Sequence, residues 1–255
     1  MILIAGPCVV ESFDLLCEVA ETILPLAQKH NFRFVFKSSY KKANRTDVSS
    51  FTGIGDEIAL DFINRIGREY NVPVLTDIHS VEEVAVAAPY VDILQIPAFL
   101  CRQTELLQAA GCSGKTVNIK KGQFLSPQDM AAAAAKVTAT GNSSVWLTER
   151  GTFFGYRDLV VDFRSLGIMR QTGFPVIYDT THSVQQPGSA AGKSGGLPQF
   201  IRPLARAAVA YGIDGLFIET HPNPPDAKSD AATQYPLQGM AELLEELAAI
   251  KSVVH

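Results

Sequence analysis

Eight short apolar runs cross the chain at intervals of roughly thirty residues, with stretches of helical spacing between them. Nearly every run ends on a polar or charged residue. This alternation predicts eight βα units, and the most economical arrangement is a closed (β/α)8 TIM barrel in a single domain over residues 1–255. The runs are Ile2–Ala5, Phe32–Phe36, Val72–Leu75, Ile93–Leu94, Thr116–Ile119, Val145–Leu147, Val176–Tyr178 and Gly215–Ile218.

The spacing of apolar residues between the runs predicts helices. Ser12 is suited to begin a helix that ends near His30, and Pro127 is suited to the first turn of an alanine-rich helix. Further helices are predicted over Ile58–Tyr70, over Val81–Ala87, and from Leu237 to about Val253. The last of these would close the barrel.

Side chains capable of chemistry follow the predicted strands. Active sites of (β/α)8 barrels lie at the carboxyl ends of the strands, so we expect these side chains to converge on one pocket. They are Cys8, Lys37, Asp77, Gln95, Lys120, Glu149, Arg150, Asp179, His182 and Glu219.

Composition excludes some classes of function. The chain has 255 residues, of which 47% are hydrophobic, and its formal net charge of −4 argues against a protein that coats nucleic acid. No apolar segment of about eighteen residues predicts a membrane span. Met1 leads straight into the first strand, and the four cysteines lack CxxC spacing. We therefore expect a cytoplasmic protein in a reducing compartment.

Six cations follow predicted strands in this mildly acidic chain. Any one of them could simply be solvated, but together they would form a local anion site at one face of the barrel. They are Lys37, Lys42, Arg45, Lys120, Lys121 and Arg150.

Two long connections follow the seventh and eighth predicted strands. Gln185–Leu197 is rich in Gly and Ser, and His221–Pro236 contains four prolines. Loops of this length in a compact domain are usually functional or disordered. Because both belong to the active face, we interpret them as lids or site-completing loops, which would exclude water when substrate is bound.

Cys8, His182, Glu219 and Asp230 form a candidate metal site. Each has a structural explanation when taken alone, such as a buried cysteine or a core histidine. Jointly they follow strands one, seven and eight, which become neighbours when the barrel closes. A thiolate, an imidazole and two carboxylates suit a divalent metal ion such as Zn²⁺, Fe²⁺, Mn²⁺ or Co²⁺.

Motifs after every predicted strand resemble those of the 3-deoxy-D-manno-octulosonate 8-phosphate synthase family. The resemblance implies a homotetrameric barrel that condenses phosphoenolpyruvate with D-arabinose 5-phosphate and releases phosphate, on the route to the inner core sugar of lipopolysaccharide. The segments that carry it are AGPCVVES (5–12), FKSSYKKANRT (36–46), LTDIHS (75–80), LQIPAFLCRQTELL (94–107), NIKKGQFLSP (118–127), LTERGTFFGYRDLVVDFRSL (147–166), IYDTTHSVQQPG (177–188) and FIETHPNPPDAKSD (217–230).

The resemblance assigns the phosphoenolpyruvate site to Lys42, Lys120 and Arg150, with Lys37 and Gln95 lining the same pocket. A substrate that carries a phosphate and a carboxylate needs several fixed cations, and an arginine can bind such a group bidentately.

The resemblance assigns the sugar phosphate to a second set of residues. Asn44, Arg45 and Thr46 would receive arabinose 5-phosphate, Arg102 would reach its phosphate from a neighbouring subunit, and Asp77 would lie near the sugar hydroxyls.

The resembled family has a metal-dependent class and a metal-independent class, which carry Cys and Asn respectively at the position of Cys8. The resemblance therefore places this chain in the metal-dependent class, in which His182 would also help to move protons.

The chain departs from the family pattern in places: Thr46-Asp47 stands where two serines are common, and Ser80 replaces a usual glutamate. The sequence of residues 170–173 matches the family pattern less closely. The amino-terminal hairpin that often plugs the barrel in this family is expected to be short or absent.

Other functions remain open at this point. The chain could use erythrose 4-phosphate, as the sister enzyme of aromatic biosynthesis does, or resemble sialic acid synthases, although KANRT (42–46) favours a five-carbon sugar phosphate. Lys42 or Lys120 could instead form a Schiff base, as in aldolase barrels. A catalytically silent sugar-phosphate-binding barrel is a further alternative.

Overall fold

A computed structural model describes residues 1–44, 49–156, 158–190 and 193–254. Over these residues the predicted (β/α)8 barrel is confirmed. The strands are β1 (Ile2–Gly6), β2 (Arg33–Lys37), β3 (Val74–Asp77), β4 (Ile93–Ile96), β5 (Thr116–Lys120), β6 (Val145–Glu149), β7 (Thr152–Phe154), β8 (Asp158–Val160), β9 (Val176–Asp179), β10 (Gln185–Ala190), β11 (Lys193–Gly196), β12 (Gly215–His221) and β13 (Tyr235–Pro236).

Helices cover the outside of the barrel. Their apolar faces are buried against the strands, as amphipathic spacing requires. The helices are α1 (Phe13–Lys29), α2 (Asp56–Tyr70), α3 (Val81–Ala87), α4 (Thr104–Cys112), α5 (Met130–Thr138), α6 (Arg164–Arg170), α7 (Ile201–Tyr211) and α8 (Met240–Val254).

The barrel strands follow one another in the order β1-β2-β3-β4-β5-β6-β9-β12, and β12 pairs in parallel with β1 to close the ring. The closing register pairs Ile2 with Gly215 and Gly6 with Glu219. The last residue of β1 therefore lies beside a carboxylate of the final strand.

The core has two layers. The larger layer fills the space between strands and helices, whereas a smaller cluster, which includes Ile4, Trp146 and Phe217, fills the inside of the barrel. Side chains of a strand alternate between its two faces, so Leu3 and Ala5 pack outward while Ile4 packs inward.

Side-chain caps begin two of the predicted helices. The Ser12 hydroxyl accepts a hydrogen bond from the Leu15 amide at 3.2 Å, and the Ser80 hydroxyl accepts one from the Glu83 amide at 3.4 Å. Ser80, which departs from the family pattern, is therefore the N-cap of α3.

Two predicted helices begin about three residues later than the apolar pattern indicates. Helix α5 begins at Met130 because Ser126 and Asp129 close a turn that contains Pro127, with the Ser126 hydroxyl donating to the Asp129 carboxylate at 2.7 Å. Helix α8 begins at Met240 because Leu237–Gly239 forms a 3-10 turn before it.

The long Gly- and Ser-rich connection after β9 contains the antiparallel hairpin β10–β11, and a second hairpin, β7–β8, follows β6. Neither hairpin is predicted from the apolar pattern. No helix among the described residues is long and apolar enough to cross a membrane.

We predict that Gly6→Ala destabilises the barrel. A Cβ at this position would overlap the carbonyl oxygen of Lys37, closer than van der Waals contact allows. The expected loss in free energy of unfolding is about 1–3 kcal/mol, measured by urea denaturation. Gly114→Ala is the control for backbone strain, since φ is positive at both glycines (157° at Gly6 and 71° at Gly114) but a Cβ at Gly114 meets no atom within 4 Å. Equal losses in the two variants would contradict the close-approach explanation.

Candidate active site

Strand periodicity places a ring of polar side chains just above the inner apolar cluster. Val35, Leu75, Ile93, Trp146, Ile177 and Phe217 point into the barrel. Because inward positions recur every second residue, the residues two positions later also face the barrel axis. Those residues are Lys37, Asp77, Gln95, Thr148, Asp179 and Glu219, and all of them are buried.

A continuous hydrogen-bond chain runs around half of this ring. The Thr148 hydroxyl donates to Asn118 at 2.6 Å, and the Asn118 amide donates to Gln95 at 2.8 Å. Gln95 and Ser39 both donate to the Asp77 carboxylate. These hydrogen bonds extend from β6 to the loop after β2. They fix the orientation of the Gln95 amide and the positions of both carboxylate oxygens of Asp77.

Lys37 and Glu219 form a buried ion pair across the closing point of the barrel. Lys37 Nζ lies 2.6 Å from Glu219 Oε1, and both side chains are 1% exposed. The same ammonium donates to the Cys8 carbonyl oxygen at 3.0 Å. Lys37 therefore holds Glu219 and the Cys8 backbone in place.

The structure brings three of the four predicted metal ligands into one group and places His182 beside two of them. Sγ of Cys8 and one carboxylate oxygen each from Glu219 and Asp230 lie within 4.8 Å of one another. His182 Nε2 lies 3.6 Å from Glu219 Oε2 and 3.8 Å from Asp230 Oδ2. Oε2 of Glu219 faces this centre because Oε1 contacts Lys37.

The geometry of this donor set fits a divalent ion. Ligand atoms bonded at about 2.0–2.3 Å to one ion lie about 3–4 Å from each other. Cys8 Sγ lies 3.3 Å from Asp230 Oδ2, which agrees with this spacing. Asp230 has a φ of 49°, a left-handed conformation that aspartate tolerates better than most residues.

Asp179 orients the ring of His182. The Asp179 Oδ2 atom lies 2.8 Å from His182 Nδ1 and 2.7 Å from Lys120 Nζ. A carboxylate on Nδ1 fixes the ring and leaves Nε2 free for an ion, an arrangement that recurs at protein metal sites. The sequence pattern puts Asp179 at a strand end but does not reveal this pairing.

Lys42 and Arg150 are cations with spare bonding capacity. Lys42 Nζ lies 2.8 Å from Ser39 Oγ and 4.0 Å from Asp77 Oδ2. The Arg150 guanidinium donates to the His182 carbonyl at 3.0 Å and to Gln185 Oε1 at 2.9 Å. Arg150 Nε is buried without a hydrogen-bond partner in the described part of the chain, as expected where an anion is to bind.

Burial and neighbouring charges shift the pKa values of these groups. Burial, reinforced by Glu219, raises the pKa of the Cys8 thiol well above its ordinary value. Burial also lowers the pKa of the Lys120 ammonium, although Asp179 opposes this shift. For Glu219, burial favours the neutral acid, but Lys37 and His182 outweigh it and lower the pKa.

Lowered carboxylate pKa values keep the mouth of the barrel charged at neutral pH. Burial raises the pKa of Asp77, yet Lys37 and Lys42 lower it by more. Cys8, by contrast, stays a neutral thiol until a cation stabilises its thiolate.

Not all predicted site residues reach this centre. Asn44 and Arg102 are exposed, and within the described chain the Arg102 carbonyl accepts from Lys136 Nζ at 2.7 Å. Arg45 and Thr46 lie outside the described residues. The predicted sugar-phosphate site therefore remains a prediction.

Several buried partners of the site are not identified from the sequence. Ser39, Asn118 and Thr148 belong to the hydrogen-bond chain, and Gln185 holds Arg150. The period-two pattern that locates Lys37 and Asp77 also locates Asn118 and Thr148, once the inward face of each strand is known.

Relatives of known identity match nearly the whole chain. A 2-dehydro-3-deoxyphosphooctonate aldolase of Syntrophotalea carbinolica is 53% identical over 252 residues, covering 99% of this chain and 91% of that protein. The corresponding protein of Magnetococcus marinus is 51% identical over 253 residues, covering 99% and 88%. That of Brucella melitensis biotype 1 is 52% identical over 251 residues, covering 98% and 91%.

The DAHP synthetase I family matches residues 1–254. The match extends from the first barrel strand through the last helix, so it includes every side chain of the site described above. With this coverage, and with half of its residues identical to those of the relatives, the chain belongs to the DAHP synthetase I family, together with these 2-dehydro-3-deoxyphosphooctonate aldolases.

Proposed function

We propose that this chain is a transferase that condenses phosphoenolpyruvate with D-arabinose 5-phosphate and water, giving 3-deoxy-D-manno-octulosonate 8-phosphate and inorganic phosphate. This product is the 2-dehydro-3-deoxyphosphooctonate of the relatives' names, and it is a precursor of the lipopolysaccharide core sugar. The observation that carries the proposal is the convergence of buried cations and a mixed S/N/O donor set in a chain that is half identical to those aldolases.

The reaction forms a C–C bond to the aldehyde carbon and a C–O bond from water to C2, and it breaks the C–O bond between C2 and the phosphate. The two protons of water pass to the former aldehyde oxygen and to the leaving phosphate. C3 of phosphoenolpyruvate attacks the aldehyde carbon of the sugar, water adds to C2, and the resulting tetrahedral carbon expels phosphate. The two substrates must be held with their reacting atoms in contact. Phosphoenolpyruvate also needs nearby cations that compensate the negative charges of its phosphate and its carboxylate.

The buried cations of the site would hold phosphoenolpyruvate. Arg150 offers its unpartnered Nε, and the buried Lys120 and the partly buried Lys42 supply two further positive charges. Gln95 lines the same pocket with a fixed amide. Lys37 acts indirectly in this proposal, because its ammonium is already bonded to Glu219.

Cys8, His182, Glu219 and Asp230 would hold a divalent metal ion. Such an ion supplies Lewis acidity, which polarises a carbonyl oxygen and lowers the pKa of water. Two neighbouring side chains position these candidate ligands: Lys37 contacts Glu219, and Asp179 contacts His182.

Lys120 and His182 are the groups best placed to handle protons. Lys120 Nζ lies 3.4 Å from His182 Nδ1, and burial lowers the pKa of the Lys120 ammonium. Lys120 can therefore exchange a proton at Nζ more readily than a solvated lysine. Schiff-base chemistry at this amine is not proposed, because Nζ lies 2.7 Å from Asp179 Oδ2, among the groups that would bind the substrate anion.

The sugar phosphate would lie on the open side of the candidate metal ligands, away from the inner apolar cluster. Asp77 would contact sugar hydroxyls, while Asn44, Arg45, Thr46 and the Arg102 of a neighbouring subunit would bind the distal phosphate. A homotetramer would supply that Arg102. Exposed aromatic side chains on the same rim, Phe99 at 51% and Phe154 at 70%, support an interface there.

We propose a cytoplasmic enzyme with small-molecule substrates and no nucleic-acid or membrane partner, as the sequence leads us to expect. The erythrose 4-phosphate alternative is less favoured, because the relatives that share half of the residues carry the octulosonate name.

We predict that arabinose 5-phosphate is preferred over erythrose 4-phosphate by at least about a hundredfold in kcat/KM. Rigid strand ends fix the distance between the position of the sugar aldehyde and the position of its phosphate, and a four-carbon sugar phosphate would be too short to reach both. Misplacement of a reacting atom by about 1 Å costs about a hundredfold in rate. Phosphate release with phosphoenolpyruvate and each sugar phosphate measures this ratio. Comparable turnover would assign the chain to the heptulosonate reaction, and no turnover with either sugar would indicate a silent barrel.

Removal of the metal is expected to abolish activity, and Co²⁺ or Zn²⁺ to restore it. Cys8→Ser should weaken metal binding, since a hydroxyl replaces a thiolate ligand. Cys112→Ser is the matched control, because Cys112 is exposed and outside the site. The measurements are activity before and after dipicolinate treatment and metal content by elemental analysis. Full activity in metal-free protein would contradict the proposal.

Arg150→Ala is expected to raise the activation free energy that corresponds to kcat/KM for phosphoenolpyruvate by about 2–5 kcal/mol, the cost of removing one partner of a buried charge pair. The ratio kcat/KM should therefore fall roughly 30- to 5,000-fold. The KM for the sugar phosphate should change much less. Arg164→Ala is the control, since that side chain is 86% exposed. An equal effect of Arg150→Ala on both substrates would show that Arg150 does not belong to the donor site.

A further inference from the structure

The hairpin β10–β11 joins two parts of the candidate active site at its base. Gln185 and Gly196 are its first and last residues, and they pair with each other in antiparallel register. Next to this pair, the Leu197 amide donates to the Val184 carbonyl at 2.9 Å. The base of the hairpin is therefore held by backbone hydrogen bonds on both sides of the Gln185–Gly196 pair.

One side of the base contacts Arg150. Gln185 Oε1 accepts from the Arg150 guanidinium at 2.9 Å, and both side chains are buried. Arg150 also donates to the carbonyl oxygen of His182, which begins the turn that leads into the hairpin. Any displacement of Gln185 would therefore move the guanidinium.

The other side of the base contacts the loop that carries Asp230. A Cβ on Gly196 would overlap Cγ2 of Thr233 and would lie 3.1 Å from the Val184 carbonyl oxygen. Thr233 is 2% exposed, so its methyl group has little room to move away. The Thr233 amide donates to the Asp230 carbonyl at 3.0 Å, which ties this contact directly to Asp230.

Close approach is the reason for glycine at position 196. The φ of Gly196 lies outside the left-handed region, so the backbone there does not need glycine's conformational freedom. What requires glycine is the absence of a side chain between β11 and Thr233.

We propose that Gly196 is a positioning residue for both halves of the site: through Thr233 it sets the place of Asp230, and through its pairing with Gln185 it sets the place of Arg150. This inference rests on the proposed function, in which Asp230 binds the metal and Arg150 binds phosphoenolpyruvate. A single backbone pair thus controls the separation between the metal ligand and the anion-binding cation.

Gly196→Ala tests the inference in the full-length protein. Co²⁺ binding to the metal-free protein is followed by thiolate-to-cobalt absorption in competition with a chelator. The affinity is expected to fall by about ten- to a hundredfold, as for other substitutions next to metal ligands. The KM for phosphoenolpyruvate should rise at the same time. Unchanged Co²⁺ affinity in Gly196→Ala would overturn the inference.

Thr233→Ser supplies the rescue. It removes the methyl group that the new Cβ would overlap and keeps the hydroxyl, so Gly196→Ala with Thr233→Ser should recover most of the lost Co²⁺ affinity. Thr233→Ser alone should bind Co²⁺ like the unmodified protein. If the single Gly196→Ala variant does not fold, the comparison of the double variant with Thr233→Ser still tests the contact. Failure of the double variant to exceed Gly196→Ala in folding yield and in Co²⁺ affinity would overturn it.

Gln185→Met separates the two halves. This variant lacks the acceptor for Arg150 but keeps the hairpin backbone, so the KM for phosphoenolpyruvate should rise while Co²⁺ affinity stays within about twofold. A loss of Co²⁺ affinity equal to that of Gly196→Ala would contradict the separation. Absence of Co²⁺ binding in the unmodified protein would contradict the proposed function itself, whereas normal binding with an unaffected Gly196→Ala variant would contradict only this inference.

Discussion

The ion pair between Lys37 and Glu219 lies at the point where the barrel closes, and the arrangement of the mouth depends on it. Gly6 pairs with Glu219, and a side chain at Gly6 would overlap the Lys37 carbonyl oxygen. The Lys37 ammonium reaches across to both Glu219 and the Cys8 carbonyl oxygen. Both charges are almost fully buried, so removal of either partner would strand the other at a cost of about 3–5 kcal/mol. The pair orients one oxygen of Glu219 toward His182 and Asp230, and the candidate metal centre is thereby built on the closure of the sheet.

Charge balance explains why a metal ion and an anionic substrate suit the same mouth. Among the described residues, the cations Lys37, Lys42, Lys120 and Arg150 face the carboxylates Asp77, Asp179, Glu219 and Asp230, so the ionised side chains nearly cancel. Phosphoenolpyruvate carries a charge of roughly −2.5 to −3, from its carboxylate and phosphate. A divalent ion with a Cys8 thiolate adds about +1, so each ligand offsets part of the charge that the other brings into a poorly solvated site.

The sequence predicts the fold and much of the site because both follow from strand periodicity. Lys37, Asp77 and Glu219 face the axis for the same reason that Val35, Leu75 and Phe217 do, and the order of strands brings Cys8 beside Asp230. The hairpins β7–β8 and β10–β11 are missed because their residues do not alternate between apolar and polar. The start of α5 is missed because a Ser126–Asp129 turn competes with the helix. The partnerships of Asp179 with His182 and of Gln185 with Arg150 depend on side-chain placement, which local sequence patterns do not encode.

Anomalous X-ray diffraction from crystals grown with Co²⁺ and phosphoenolpyruvate tests the central claim most directly, since it locates the ion and the anion together. We expect an anomalous peak within bonding distance of Cys8 Sγ, His182 Nε2 and carboxylate oxygens of Glu219 and Asp230, with the phosphate or carboxylate of the substrate on Arg150. A peak at another position, or a substrate anion bound away from Arg150 and Lys120, would contradict it.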